Sequence, residues 1–355
     1  MIENPIRVIT IYPNFFNKGG AQNIALRLAE KLNEINTPIV LVETPLSCIV
    51  KDYKARAQFE KFSLKKIIQY ADGHTVFLSH HRKSTTLLLF YKRIFGNKDW
   101  HIIHVAHNTF NDFRWFCWFP ENIIAVSNGV KENLVNYFRL PENRITVIFN
   151  GIKDTNNVRN IRKNDGKIKI LLPGRICSVK QQVELVKQTI GKLHPHIHIY
   201  FAGEGESVEL LKEKIESSMQ YHYVGFINMV EQLNQYDYVC LFSLNEGLPL
   251  SLIEGLMFGK PLITNKLSAV LDVNKPGETG FAYDDFSSLI DGLNHLPHID
   301  WAIYKQMASN ARKRFEECFT EEKMINLQNF INIEETLKKE YKMTHNKYYV
   351  AFLEK

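Results

Sequence analysis

Short apolar runs alternate with stretches of helical periodicity along the first part of the chain. Arg7–Tyr12 predicts a strand, and Ala21–Asn36 predicts a helix because its apolar residues recur every three or four positions. Asn128–Arg139 predicts a second helix, capped by an asparagine. Further strands are predicted at Pro38–Glu43, Thr75–Ser79, Ile102–Ala106, Ile123–Ser127 and Ile145–Phe149. This order is typical of a parallel sheet with crossover helices.

A polar segment, Asp154–Gly166, separates this part from a second alternating series. Strands are predicted there at Lys169–Pro173, His198–Ala202, Tyr221–Gly225, Tyr238–Ser243 and Pro261–Thr264. Helices are predicted at Val179–Leu193, Ser207–Ser217, Val230–Gln235, Leu250–Phe258 and from Trp301 onward. The pattern predicts an α/β fold with two doubly wound, Rossmann-like domains, 1–155 and 167–320, a linker at 156–166, and a helical segment at 321–355. Ligands of such sheets bind at the carboxyl ends of the strands.

Composition narrows the class of protein. The 355 residues are 45% hydrophobic and 23% charged, which is typical of a folded protein of two domains. Met1–Pro5 lacks the features of a secretory signal, and no run approaches the roughly 20 apolar residues of a membrane span. We therefore expect a cytoplasmic protein. Five scattered cysteines predict neither a disulfide framework nor a metal site. The net charge of +6 suits an anionic partner, and no zinc-binding or RNA-binding signature points to nucleic acid.

Two glycine turns follow predicted strands and are candidates for binding phosphate. Gly19 and Gly20 open the first helix, whose amino end would present free amides to an anion, although a plain tight turn explains them equally well. They do not form a G-x-G-x-x-G fingerprint, which disfavours NAD. In the second domain Gly174 turns the chain, and Arg175 and Lys180 follow. Two cations there could neutralise a diphosphate, or they could be a solvated basic loop.

The segment from Asn245 to Pro261 is the most informative. An apolar strand leads to a turn at Glu246, and Pro249 suits the first turn of a helix that carries Glu254. The two carboxylates should lie roughly 8–12 Å apart, given the rise of a helix. The two catalytic carboxylates of a retaining glycosidase lie only about 5 Å apart. The wider spacing here fits one carboxylate that binds a sugar and one that binds a ribose. The alternative, that Glu254 is a surface residue, is weakened by its apolar neighbours.

The chain here resembles the family-4 glycosyltransferases of GT-B fold, whose hallmark is an E-x(7)-E element followed by G-x-P. Other segments match that family in order over residues 8 to about 285: Gly19-Gly20-Ala21-Gln22, Ala125-Val126-Ser127, Phe149-Asn150-Gly151-Ile152, Gly174-Arg175 with Lys180, Ala202-Gly203-Glu204-Gly205, Gly225-Phe226 and Thr279-Gly280-Phe281. The resemblance implies two domains that face each other across a cleft, with the helical segment 321–355 crossing back onto the first domain.

The resemblance also implies roles for individual residues. Arg175 and Lys180 would grip the diphosphate, Glu254 would bind the ribose, and Glu246 would contact the donor sugar. His107, which follows a predicted strand, would approach the donor sugar, and His80 and His81 would line the acceptor side. The remaining donor-binding positions would be Gly19, Gly20, Gly174, Gly225, Phe226, Gly247, Leu248, Pro249 and Leu250.

The chain departs from the family pattern at three places without losing a charged group of the mechanism. Pro249 stands where many members have glycine and removes one backbone donor, Glu206 replaces a frequent proline, and Phe149 replaces the proline before Asn-Gly. The family implies a retaining, front-side transfer in which the departing phosphate oxygen takes the acceptor's proton. Because the chain contains no D-x-D, we expect no metal and no cofactor.

Two basic segments and one aromatic segment are candidates for the acceptor side. Lys51–Tyr70 and Arg82–Lys98 mix cations with apolar residues, as do helices that dock on anionic lipid or solvated helices that cover a sheet. The aromatic segment at 113–120, with Trp115 and Trp118, suits sugar stacking, an interface or a core.

The resulting functional hypothesis is a retaining glycosyltransferase. It would move a hexose or N-acetylhexosamine from a nucleotide-diphosphate sugar, with UDP favoured, to a lipid-linked or lipopolysaccharide acceptor such as an O-antigen or capsule precursor. It would work in the cytoplasm, with peripheral attachment to the inner membrane face. The alternatives are a GT-B sugar-nucleotide epimerase and a noncatalytic sugar- or lipid-binding subunit of a transferase complex.

Overall fold

The chain folds into two compact units, each built on its own parallel sheet. The computed structural model describes residues 7–33, 36–72, 74–95, 100–155 and 166–325. Of the described residues, the first unit holds those up to Val126, Lys131–Ile148, and Met324 and Ile325, and the second holds Ser127–Val130 together with Phe149–Lys323. The linker expected at 156–166 lies outside the described residues except for Gly166, and so does the expected terminal segment beyond Ile325.

The first sheet has seven parallel strands in the order β3-β2-β1-β4-β5-β6-β7. The strands are β1 Arg7–Ile11, β2 Ile39–Val42, β3 Gln58–Lys61, β4 Thr75–Ser79, β5 His101–Ala106, β6 Asn122–Ala125 and β7 Ile145–Val147. The helices are α1 Gly20–Lys31, α2 Lys51–Lys54, α3 Leu64–Tyr70, α4 Arg82–Phe95 and α5 Asn128–Asn136. The strand order reverses between β1 and β4, which are hydrogen-bonded neighbours. Such a switch point opens a crevice at the carboxyl ends of the two strands.

The second sheet has six parallel strands in the order β10-β9-β8-β11-β12-β13. The strands are β8 Ile168–Pro173, β9 Ile197–Ala202, β10 Tyr221–Gly225, β11 Tyr238–Leu241, β12 Leu262–Asn265 and β13 Gly280–Tyr283. The helices are α6 Gln182–Thr189, α7 Val208–Ile215, α8 Met229–Gln232, α9 Leu250–Met257, α10 Ser268–Leu271, α11 Phe286–His295, α12 Trp301–Cys318 and α13 Glu321–Ile325. Here the order reverses between β8 and β11.

The central strands are buried on both faces, which explains their nearly continuous apolar sequences. All five residues of β4 and all four of β11 are buried. Helices cover both faces of a parallel sheet, so such strands need no alternation of apolar and polar residues. The two Rossmann-like α/β units predicted from the sequence are therefore confirmed.

The interpretation of Lys51–Tyr70 as one helical face is wrong. This segment holds a short helix, α2, then the strand β3, then α3. β3 pairs in parallel with β2 and extends the sheet by one edge strand. The Ser63 hydroxyl accepts a hydrogen bond from the Lys66 amide and starts α3. The predicted helix at Arg82–Lys98 is confirmed as far as Phe95.

Three smaller predictions also change. The helix expected from Val179 begins only at Gln182, because a 3-10 turn at Ser178–Lys180 ends in Gln181, whose φ of 54° is left-handed. The cap of α5 is the Ser127 hydroxyl, which accepts from the Val130 amide. β13 was not predicted as a strand.

Within the described ranges, no helix is both long and apolar enough to span a membrane.

Candidate functional site

Two glycine loops lie in backbone contact at the carboxyl ends of β8 and β9. Gly174 and Gly203 have φ values of 146° and 139°, and a Cβ on Gly203 would come within 2.0 Å of the Gly174 carbonyl oxygen. The Gly174 amide donates to the Ala202 carbonyl at 2.9 Å, and the Ile176 amide donates to the Glu204 carbonyl at 2.9 Å. A Cβ on Gly205 would come within 2.2 Å of the Ile176 carbonyl oxygen. Only glycine allows this approach, so the A-G-x-G turn sets the course of the loop that carries Arg175.

The 3-10 turn after this loop brings Lys180 to the loop after β11. The Val179 carbonyl accepts from the Leu244 amide at 2.8 Å and from the Ser243 hydroxyl at 3.0 Å. With the turn held in this way, the Lys180 ammonium donates to a carboxylate oxygen of Glu246. The Glu246 side chain is only 8% exposed and that of Lys180 is 22% exposed. Lys180 compensates a buried carboxylate that would otherwise be costly.

Arg175 precedes Lys180 by five residues in the loop and is exposed. Its backbone carbonyl accepts from the Gln182 side-chain amide at 2.9 Å, which ties the loop to the start of α6. An exposed guanidinium on a fixed backbone can meet an anion with both of its forked donors. The structure thus places Gly174, Arg175, Lys180 and Glu246 at one edge of the second sheet.

The segment from Glu246 to α9 is buried. Gly247, Leu248 and Pro249 are buried, Pro249 occupies the N-cap position of α9, and Leu250 is the first helical residue. The helix begins at Leu250, as predicted, and Pro249 precedes it as the N-cap instead of lying inside the first turn. Amides of a first helical turn lack intrahelical acceptors and can bind an anion, but proline has no amide to contribute. Glu254 lies one turn further along α9 and is partly buried.

The end of β10 joins the same edge of the sheet. The Gly203 amide donates to the Gly225 carbonyl at 2.8 Å. Gly225 has a φ of 69°, and nothing lies within 4 Å of where its Cβ would be. Phe226 follows with 73% of its surface exposed. An exposed aromatic ring beside a glycine loop can stack on a planar group.

In the first unit, the structure brings two histidines together at the ends of β4 and β5. Nδ1 of His80 and Nε2 of His107 share a hydrogen bond of 2.7 Å, and the rings stack with centroids 5.0 Å apart. Burial lowers the pKa of His107 to about 4 and that of His80 well below its ordinary value. Both imidazoles are therefore neutral near pH 7. His81 is exposed and does not join the pair.

A third histidine, His104, received no role from the sequence. It lies on β5, where its Nδ1 shares a hydrogen bond of 2.8 Å with the Thr85 hydroxyl. Burial lowers its pKa to about 3. The repeat of histidine three residues apart at His104 and His107 was the available signal, but it does not show which of the two reaches the strand end.

The glycine turn of the first unit is anchored by Tyr53, which the sequence did not single out. Gly19 is the N-cap of α1, whose first residue is the exposed Gly20. The Gly19 amide donates to the Tyr53 hydroxyl at 3.3 Å. A Cβ on Gly19 would come within 2.3 Å of a Gln22 side-chain oxygen. The Gly19 amide is therefore engaged within the protein.

Two family models match the chain, one on each part. The model described as glycosyl transferases group 1 matches residues 153–314, and the model described as glycosyltransferase family 4 matches residues 45–156. A curated relative from Escherichia coli, the O-antigen biosynthesis glycosyltransferase WbnH, is 23% identical over 221 residues. That match covers 60% of this chain and 64% of the relative, which is less than two thirds of its length.

Solved structures of similar fold cover nearly the whole chain. Anabaena HepE in complex with UDP has a TM-score of 0.79 at 15% identity, over 94% of this chain and 100% of HepE. The apo form of the lipopolysaccharide outer core galactosyltransferase WaaB has a TM-score of 0.75 at 16% identity, over 92% of this chain and 99% of WaaB. At these identities the likeness shows the fold alone, which is GT-B.

Proposed function

We propose that this GT-B protein transfers a sugar from a nucleotide diphosphate to a saccharide acceptor. The match of residues 153–314 to the group 1 glycosyl transferases and of residues 45–156 to glycosyltransferase family 4 supports this proposal. The observation that carries the proposal is the Lys180–Glu246 ion pair. It follows the loop of Arg175, whose course is set by the close contact of Gly174 with Gly203. It combines cations for a diphosphate with a carboxylate for sugar hydroxyls at one edge of the sheet.

The proposed chemistry is electrostatic. Cleavage of the anomeric C–O bond places negative charge on the leaving diphosphate, and Lys180 and Arg175 supply fixed positive charge for it. The acceptor oxygen forms its bond to the anomeric carbon on the face that the phosphate leaves, and the phosphate oxygen takes its proton, so that configuration is retained. The proposal uses no metal ion, because the two cations take the place that a metal has in D-x-D enzymes.

UDP is the proposed nucleotide, with a hexose or N-acetylhexosamine as the donor sugar. HepE, which shares the fold, has been solved with UDP. Glu254 would accept from the ribose hydroxyls, and the exposed ring of Phe226 offers a stacking surface for the base. The relationship to WbnH supports a lipid-linked or lipopolysaccharide saccharide as the acceptor.

The test is thermal stabilisation by nucleotides in EDTA. At a hundredfold excess over its dissociation constant, a ligand adds about 2.7 kcal/mol of stability. UDP should therefore raise the melting temperature of the full chain by roughly 5–10 °C, since about 2–4 °C corresponds to 1 kcal/mol in a domain of 150–250 residues. GDP, ADP and NAD are the comparison ligands.

Arg175→Ala and Glu254→Ala should remove the UDP shift. A shift with NAD alone, or none with any nucleotide, would refute the proposed site. A shift that requires Mg²⁺ would refute the metal-free chemistry. Binding of UDP without turnover of any sugar nucleotide would favour the noncatalytic subunit, and interconversion of free UDP-sugars would favour the epimerase.

We also propose that the acceptor side of the first unit meets an anionic lipid surface. The aromatic face consists of the exposed side chains of Phe90, Ile94, Phe113, Trp115 and Phe116. Trp115 is 81% exposed, so the interpretation of this segment as core is wrong for that residue.

The aromatic face is held together by α4. The Arg82 guanidinium lies 3.7 Å from the centroid of the Phe110 ring and pairs with Asp112 at 2.9 Å. The Trp118 amide donates to the Thr86 hydroxyl at 3.0 Å, and Phe90 and Ile94 follow Thr86 at intervals of one helical turn. α4 carries four cations and no acid, which complements anionic headgroups.

Replacing Trp115 and Phe116 together by alanine should weaken binding to vesicles of phosphatidylcholine with 30% phosphatidylglycerol by about tenfold or more, because two interfacial aromatic side chains are lost. Sedimentation with sucrose-loaded vesicles measures the fraction of protein bound to the vesicles. Met219→Ala removes an equally exposed apolar side chain from the second unit and is the control. Equal binding of wild type and the double variant would refute this docking surface.

A further inference from the structure

His107 is held by one ring nitrogen and leaves the other open. Its Nε2 shares the hydrogen bond with Nδ1 of His80, and within the described chain its Nδ1 has no hydrogen-bond partner. His107 is partly buried at the end of β5, whereas His80 is only 4% exposed. A ring fixed at one nitrogen presents its other nitrogen in a defined direction.

The proton count of this pair limits its tautomers. Each neutral imidazole carries one N–H, and the shared hydrogen bond uses one of the two protons. If His107 donates from Nε2, then His80 must carry its proton on Nε2. That nitrogen is buried and has no partner among the described residues. If His80 donates from Nδ1, its Nε2 is a bare acceptor, and the proton of His107 lies on Nδ1.

The second arrangement is favoured, because a buried N–H without an acceptor is rarer than an acceptor without a donor. We propose that His80 is a positioning residue that holds His107 as the Nδ1–H tautomer, so that His107 offers a hydrogen-bond donor to an oxygen of the donor sugar. The inference rests on the proposed function and on the role that the family resemblance implies for His107, which is to approach the donor sugar. It excludes His107 as the general base.

Packing alone does not account for an imidazole at position 80. An aliphatic side chain would pack against the Tyr12 ring, whose centroid is 6.3 Å away, without burying an unpaired nitrogen. His104 on the neighbouring strand has a hydroxyl partner for its Nδ1. The bond to His107 is the contact of His80 that requires a ring nitrogen.

The first experiment is ¹⁵N NMR of the full chain labelled at histidine. Ring nitrogens with and without a proton differ widely in chemical shift, and His107→Gln identifies the signals of His107. We expect Nδ1 of His107 to be protonated in the wild type and in His80→Asn, whose amide lies near the former Nδ1. In His80→Gln, whose amide lies near the former Nε2, His107 should revert to the Nε2–H tautomer. An Nε2–H tautomer of His107 in the wild type overturns the proposal, whether or not the protein transfers sugar.

The second experiment is kinetic and separates positioning from folding. His80→Asn should keep kcat for UDP-sugar turnover within about threefold of the wild type, and His80→Gln should lose about tenfold or more. In both variants the unfolding transition of the first unit should stay at the wild-type temperature, which shows that this unit is folded. Equal losses of kcat in His80→Asn and His80→Gln overturn the positioning role. If the wild type turns over no UDP-sugar while His107 is the Nδ1–H tautomer, the proposed function fails and the assignment of the tautomer stands.

Discussion

Replacing Lys180 by alanine should lower kcat by about 100- to 1000-fold, the usual loss when one charge-stabilising donor is removed from a transition state. Lys180 is tied to Glu246 by the docked turn at Val179, so its charge is fixed before substrate arrives. A preorganised cation needs no rearrangement as charge develops on the leaving diphosphate. Steady-state release of UDP from a UDP-sugar measures the effect.

The same substitution leaves the Glu246 carboxylate buried without its cation, which destabilises the second unit. Lys180→Ala combined with Glu246→Gln removes that cost and should recover the melting temperature but not kcat. Lys187→Ala on α6 breaks an exposed pair with Glu184 and is the matched control, expected to keep both. If kcat falls less than about tenfold in Lys180→Ala, the role assigned to this ion pair is wrong.

Gly203→Ala should destabilise the second unit by about 4 kcal/mol or more, which is in the upper tail for single substitutions. The added Cβ would meet the Gly174 carbonyl oxygen at 2.0 Å, and both partners of that clash are backbone. The backbone at φ 139° also disfavours any side chain. The loop of Arg175 must move, so UDP affinity should fall together with stability.

Gly191→Ala separates the two causes. Gly191 also has a positive φ, 73°, but nothing lies within 4 Å of its missing Cβ. Gly191→Ala should lower the free energy of unfolding by only about 1–2 kcal/mol, because alanine disfavours the left-handed conformation, and it should leave UDP binding unchanged. Calorimetry of the second unit's unfolding transition measures the stability loss of each variant. Similar losses of stability and of UDP affinity in the two variants would show that the contact between the glycine loops is not what holds the loop of Arg175.

Local pattern carried much of the fold. The strands at Thr75–Ser79 and Tyr221–Gly225 coincide with the predictions, because buried parallel strands are apolar runs bounded by turns. β3 escaped prediction because Gln58–Lys61 is a half-buried edge strand with two charges, and its pairing with β2 decides its structure. The late start of α6 follows from the left-handed Gln181, which no periodicity reveals.

The candidate site divides in the same way. Residue types and spacing single out Arg175, Lys180 and Glu246, since a cation or carboxylate in a strand-end loop shows in the sequence. That Lys180 pairs with Glu246, 66 positions away, follows only from the adjacency of β8 and β11.

By itself, the sequence determined most of the strands and helices and which chemical groups follow the strands, because periodicity and turn residues act over a few neighbouring positions. Only the tertiary structure decided the partners. The order of strands in each sheet brought His80 beside His107 and Gly203 against Gly174, and burial there lowered the histidine pKa values. Contacts between distant segments depend on how whole strands and helices pack, so no local pattern in the chain encodes them.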